Sequence, residues 1–207
     1  MKTRFGESFE GSAAYHPTVW RTCRILANSH RLRCLKAVFE EPDSAVSEVA
    51  ERMKLSVCHA SEHLRALQAR GLLRASRVSR WVRYAAAPDP LVEGSRLLVD
   101  ALRQVLVVER QKEPALIRTL TAFTHPRRLA ILCLLLDRSP LYAEDIAAMT
   151  RMSLSAFSRH MNKLRLRGFT VCDAGKWSIL KPCDSLAQTL LALISGRPGL
   201  HTSRSVQ

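Results

Sequence analysis

Glycine is scarce in this 207-residue chain, with eight in all, and none belongs to a phosphate-cradling loop. Serine, histidine and cysteine are present, but no nucleophile, base and orienting acid stand at motif spacing, so an enzyme is not expected. No run of 18 apolar residues occurs, and Met1 to Ser12, with Glu7 and Glu10, lacks the apolar core of a signal peptide. Those absences predict a soluble, cytoplasmic chain with no membrane partner. The six cysteines, Cys23, Cys34, Cys58, Cys133, Cys172 and Cys183, form no CxxC pair and no zinc-type spacing with histidine. Reduced thiols are expected, with no metal and no cofactor. Acidic residues are also in short supply: 18 stand against 32 lysines and arginines, a net charge of +14. Such an excess calls for a polyanionic partner, and its arginine share suits phosphate and guanine edges.

What is present is an internal echo. Leu26 to Arg74, moved forward by 97 positions, falls without a gap on Phe123 to Val171. Arg31, Leu32 and Leu35 land on Arg128, Leu129 and Leu132; Ser61, His63, Leu67, Arg70 and Gly71 land on Ser158, His160, Leu164, Arg167 and Gly168. Two copies of so long a unit are too few for a solenoid, so each is expected to be a small domain. The division expected is a disordered lead-in over 1–14, a first domain over 15–90, a linking helix over 91–113, a second domain over 114–196 and a disordered tail over 197–207.

Within the first copy, apolar spacing predicts a helix carrying Val19, Trp20, Cys23 and Leu26, then one carrying Leu32, Leu35, Val38 and Phe39 and closed by Pro42. Ser44 reads as the N-cap of a third helix with Val46, Val49, Ala50 and Met53 inward. Ser56 caps a fourth, with Val57, Ala60, Leu64 and Leu67 on its buried side and Gly71 as its stop. Only Lys54 and Leu55 separate the last two, the spacing of a helix-turn-helix. Beyond Gly71, Leu72 to Arg74 and Arg80 to Tyr84 read as strands of a hairpin wing joined by Ala75 to Ser79. Pro114 predicts a break near Gln111 to Glu113 in the apolar stretch that follows. The second copy repeats the plan, its wing (Phe169 to Leu180) one residue shorter so that Trp177 matches Trp81. Asp184 or Ser185 caps a last helix ending before Gly196. The fold class expected is mainly α with small β-hairpin wings: two tandem winged helix-turn-helix domains.

On the helix from Ser56 to Arg70 the outward side shows Cys58, His59, Glu62, Arg65 and Ala69; its counterpart shows Ser155, Ala156, Arg159, Asn162 and Leu166. Small polar residues near its start let such a helix sink into a major groove, while cations further along reach phosphate. A solvated helix face is the plain alternative.

The run LSVCHASEHLRALQARGLL over 55–73, preceded by HRLRCL over 30–35 and followed by RWVRY over 80–84, resembles the ArsR-type winged helix-turn-helix repressors. HPRRLAIL over 125–132 and MSLSAFSRHMNKLRLRG over 152–168 are similar. The resemblance implies a sequence-specific DNA-binding transcriptional regulator, a repressor, that inserts helices 56–70 and 153–167 into the major groove with the wings on the backbone. The DNA-facing set is then Ser56, Cys58, His59, Ser61, Glu62, His63 and Arg65 with Arg77, Arg80 and Arg83 on the first wing. In the second copy it is Ser153, Ser155, Ala156, Ser158, Arg159, His160 and Lys163, with Lys176 on the wing. His63 and His160 are open to a second account, a half-buried imidazole bonded to backbone. Cys58 fits a redox sensor or a small side chain facing DNA, the other cysteines fit core, and both Trp81 and Trp177 read as wing anchors. The cysteine pair of the family's metal sensors would fall on Ala45 and Ser47, or Tyr142 and Glu144, and the terminal helices contain no histidine, so metal sensing is not expected. The partner expected is double-stranded DNA, with the chain as an intramolecular pseudo-dimer or as a homodimer. The competing class is a winged-helix protein-interaction module of a larger nucleic-acid-associated assembly.

Overall fold

The computed structural model describes residues 16–92 and 94–196; the expected lead-in over 1–14 and tail over 197–207 lie outside them. The chain is mainly helical, with two small antiparallel sheets. Helix α1 (His16–Leu26) buries Val19, Cys23 and Leu26, and α2 (Ser29–Glu40) buries Leu32, Leu35, Val38 and Phe39. Between them Asn28 Oδ1 accepts the Arg31 N–H at 3.0 Å, using one of the first-turn donors that a helix leaves unpaired. Ser44 does not cap the next helix: it pairs with Tyr84 in the two-residue strand β1 (Ser44–Ala45). Helix α3 (Val46–Met53) starts instead at Ala45, whose N–H reaches Glu48 Oε2 at 2.7 Å. Lys54, in the left-handed region, turns the chain sharply into α4 (Val57–Gln68), where Ser56 Oγ accepts the His59 N–H at 3.2 Å.

The wing is tighter than the sequence suggests, with β2 (Arg74–Val78) and β3 (Trp81–Ala85) joined by Ser79 and Arg80 alone. The expected Ala75-to-Ser79 loop is mostly strand, because each residue of β2 finds a cross-strand partner on β3. Beyond it, Leu91 is 91% exposed, and the linking helix starts later than position 91 and ends before 113. It comprises α5 (Ser95–Arg103) and a π-helical turn, Gln104–Val108, before the break that precedes Pro114.

The same order then recurs: α6 (Glu113–Ala122), α7 (Pro126–Arg138), β4 (Leu141–Tyr142), α8 (Ala143–Met149), α9 (Leu154–Leu166), β5 (Thr170–Asp173), β6 (Lys176–Ile179) and α10 (Ser185–Ser195). Strand orders match as well, β1-β3-β2 and β4-β6-β5. The turn of the second hairpin is Ala174-Gly175, both at positive φ, as a two-residue hairpin turn favours. Asp184 caps α10 by accepting the Leu186 N–H at 3.1 Å, and Gly196 ends it at φ 64°.

The two runs share one apolar core. Helix α1 packs on α6, α7 and α10, α2 packs on α6, and α5 packs on α10. Gly94, at φ 73°, lies where a Cβ would come within 2.6 Å of Leu193 on α10. The left-handed backbone favours glycine here, and a side chain would also displace the tip of Leu193. Cys23 and Cys34 are buried as expected of core cysteines, whereas Cys172 and Cys183 are exposed, on β5 and in the loop before α10.

Candidate nucleic-acid interface

Two helix-turn-helix corners lie at equivalent places. In the first, the Leu55 N–H donates to Ala50 O at 2.9 Å; in the second, the Met152 N–H donates to Ala147 O at 2.9 Å. Both following helices are capped alike, Ser153 Oγ accepting the Ala156 N–H at 3.3 Å as Ser56 does for His59. On α4, Ser56, Cys58, His59, Glu62 and Arg65 are exposed and Ser61 and His63 half-buried. On α9, Ser153, Ser155, Ser158, Arg159 and Lys163 are exposed and His160 is half-buried. Ala156 is a correction: it is 4% exposed and belongs to the core, since its small side chain lets the first turn of α9 sit against the domain. Val57 is the opposite correction, 56% exposed although its angle on the helix suits the buried side.

Among the wing cations, Arg77 and Arg80 are exposed, and Arg80 lies over the Trp81 ring at 5.1 Å. Arg83 is half-buried and engaged within the protein. Its Nε donates to Asp43 O at 2.9 Å and Asp43 Oδ2 at 3.1 Å, and its Nη2 lies 3.9 Å from Glu48 Oε1, so it ties the wing to the turn before α3. Trp81 is 47% exposed and does not anchor its wing, whereas Trp177 packs against the core. On the second wing Lys176 is half-buried over the Tyr142 ring at 5.0 Å.

The two histidines are held by other rings. His63 stacks on His30 with centroids 5.8 Å apart, and His160 meets His125 at 4.5 Å. His160 Nδ1 is buried without a hydrogen-bond partner, so a backbone bond through that atom does not occur. Burial, then His125, Arg128, Arg127 and Lys163, push its pKa down to about 4; burial first and neighbouring cations next lower His125 and His63 as well. Each shift of His63, His125 and His160 favours the neutral imidazole, and that of His160 leaves it uncharged at neutral pH. In that form they can donate or accept a hydrogen bond to a base but add no cation.

Each shift makes the folded chain bind its proton less readily than the unfolded chain, so stability is full above pH 6.5 and falls as pH drops toward 4. His160→Gln is expected to flatten that decline, measured as urea midpoints from pH 7 to pH 4. An equally steep decline in the variant would remove His160 from the account.

Two residues have roles that sequence reading missed although it paired them. Arg128, 5% exposed, donates from Nε to Ala122 O at 2.8 Å and from Nη2 to Thr121 O at 2.8 Å and Thr124 Oγ1 at 2.6 Å. Arg31 makes the equivalent bond to Ile25 O at 2.5 Å. Each arginine thus joins the carboxyl end of one helix to the start of the next. An arginine repeated inside two otherwise apolar stripes was the available signal. Metal-ligating groups of three or more are absent among the described residues, and no described helix is long and apolar enough to cross a membrane.

Residues 125–169 match the model of the bacterial regulatory protein, arsR family. The chain is also similar to the solution structure of the homodimeric winged helix-turn-helix DNA-binding domain (fragment 1-100) of Mb0332 from Mycobacterium bovis, a possible ArsR-family transcriptional regulator. Identity is 31% over 52% of this chain and 93% of that one, with a TM-score of 0.41. No curated protein matches.

Proposed function

From an arsR-family match over α7 to α9, we propose that this chain is a sequence-specific DNA-binding transcriptional regulator, a repressor, built from two winged helix-turn-helix domains in tandem. The observation that carries the reading is the pair of capped helices, α4 and α9, each presenting an exposed polar row after a sharp turn on a chain of net charge +14. They enter the major groove, where first-turn side chains reach base edges. Arg65 and Lys163, both exposed further along, meet phosphate. The basic first wing lies on the backbone through Arg77 and Arg80. The second wing, with Asp173 exposed and Lys176 held by Tyr142, contributes less.

Selection from random duplexes, followed by salt titration on the winning site, tests the reading. Arg80→Ala is expected to weaken binding to all duplexes and to flatten the salt slope by about one unit. Altered base preference with an unchanged slope would rule out a phosphate clamp. Salt-independent or absent duplex binding would favour a protein-interaction module instead. Because Glu62 stands where Arg159 stands in the other half, and both are exposed, the selected site should be an imperfect palindrome.

The chain is further proposed to be its own pseudo-dimer. First helices α1 and α6 pack on each other, as do last helices α5 and α10, which leaves the halves joined by the surfaces a dimer would use. Light scattering should return about 23.2 kDa for the protein, and one chain per duplex in the complex. A mass of two chains in both states would overturn this.

A further inference from the structure

Exposed large apolar side chains are ordinary when scattered singly. Val57 and Leu154 are not scattered. Among the exposed large apolar residues of the described chain, they alone occupy equivalent positions in the two halves, 56% and 54% exposed. Leu166 on α9 has Ala69 as its counterpart, and Val78 and Trp81 have none: by strand register Trp177 stands where Tyr84 does, not Trp81 as the sequence suggests, because the first hairpin extends further beyond the short strand β1 than the second does beyond β4. Each of the pair is the first residue after its helix cap, and Ser56 and Ser153 have the same backbone angles, φ −66° and ψ 151°. The two side chains therefore leave their helices in the same direction, beyond the end of the surface that buries Ala60, Leu64 and Leu67 in one case and Ala156, Phe157, Met161 and Leu164 in the other. Around them the exposed residues are small or polar: Ser56, Cys58 and His59, or Ser153 and Ser155.

We infer that Val57 and Leu154 are specificity-determining residues that each pack on the C5-methyl group of a thymine, one in each half of the DNA site. This rests on the DNA-binding reading above. An aliphatic side chain makes no hydrogen bond to a base edge or a phosphate, and the thymine methyl is the apolar group that the major groove displays. The first turn of a recognition helix is the part that reaches base edges. A Val or Leu there leaves water on binding only where such a methyl meets it; opposite cytosine it faces an amino group that prefers water.

Deoxyuridine lacks that methyl and keeps every hydrogen-bonding group of thymine. In the selected duplex, bound by the full chain, each thymine is replaced by deoxyuridine in turn. One position in each half-site should cost about fourfold in affinity, the equivalent of about 0.8 kcal/mol for one buried methyl-sized group. Val57→Ala should abolish the loss in one half-site and leave the other intact; Leu154→Ala should do the reverse. Both residues are on the surface, so the thermal midpoint of either variant should stay within a degree or two of the parent. Half-sites selected without thymine, deoxyuridine tolerated at all positions, or losses that persist in both alanine variants would each overturn the inference. Binding to duplex DNA without methyl dependence sinks this inference alone, whereas no duplex binding at all sinks it together with the reading on which it rests.

Discussion

Arg128→Ala is expected to lower unfolding free energy by about 3 kcal/mol or more, measured by urea denaturation at pH 7. The guanidinium is buried and forks onto the end of α6 and the following turn, so truncation leaves Ala122 O without this donor and strips one of two partners from Thr121 O and Thr124 Oγ1, which keep their bond to each other. Buried polar groups left in this way cost about 1 to 3 kcal/mol each, and the sum is moderated because burying the cation is itself unfavourable. That opposing cost is visible in the Arg128 pKa, brought down to about 10, chiefly by burial and secondarily by Arg167. Arg128→Lys should recover part of the loss, since an ammonium is a point donor and not a planar fork. Arg31→Ala should cost about 1 kcal/mol, because Arg31 is half-buried and its guanidinium bonds Ile25 O alone among the described residues. Equal losses at the two arginines would show that burial does not set the size of the effect.

Leu120→Ala is expected to cost about 2 to 5 kcal/mol, the range for a leucine truncated in a core that cannot collapse around the gap. Leu120 is fully buried on α6, the helix packed against α1, α2 and α10. Since one apolar core runs through both element runs, the loss should be felt in both. Hydrogen exchange of the amides in α2 and in α9 should quicken together, and unfolding should remain a single transition. A variant in which α9 loses protection while α2 keeps it would mean that the halves are separately stable.

Much of this architecture was legible in the residues. The apolar stripe of α2, the Ser56 cap, the short corner between α3 and α4 and the interruption before Pro114 all follow from local chemistry: spacing around a helix, an oxygen placed for first-turn N–H groups, and a ring that removes a donor. Ser44 was read in the same terms and comes out differently. Its neighbours offer a strand partner in Tyr84, 40 residues away, and a cross-strand pairing is invisible to any local pattern.

The candidate site divides along the same line. Which residues of α4 and α9 turn outward was set by residue spacing, and Cys58, His59, Glu62, Arg65, Ser155 and Arg159 are all exposed. How far along its axis each helix is covered was not, because that depends on where the packing surface ends. Val57 has an angle suited to the core and projects past it, while Ala156, assigned outward, is enclosed. Charge is equally divided. The sequence alone determined the excess of arginine and its concentration in the first wing; only the tertiary structure decided that Arg83 spends its guanidinium on Asp43 and Glu48 while Arg77 and Arg80 stay exposed. The physical reason is one of range: helix angle and capping act over three or four residues and are written in the order of the chain, whereas coverage, ion pairing and ring contacts such as His125 on His160 depend on elements that folding brings together from afar.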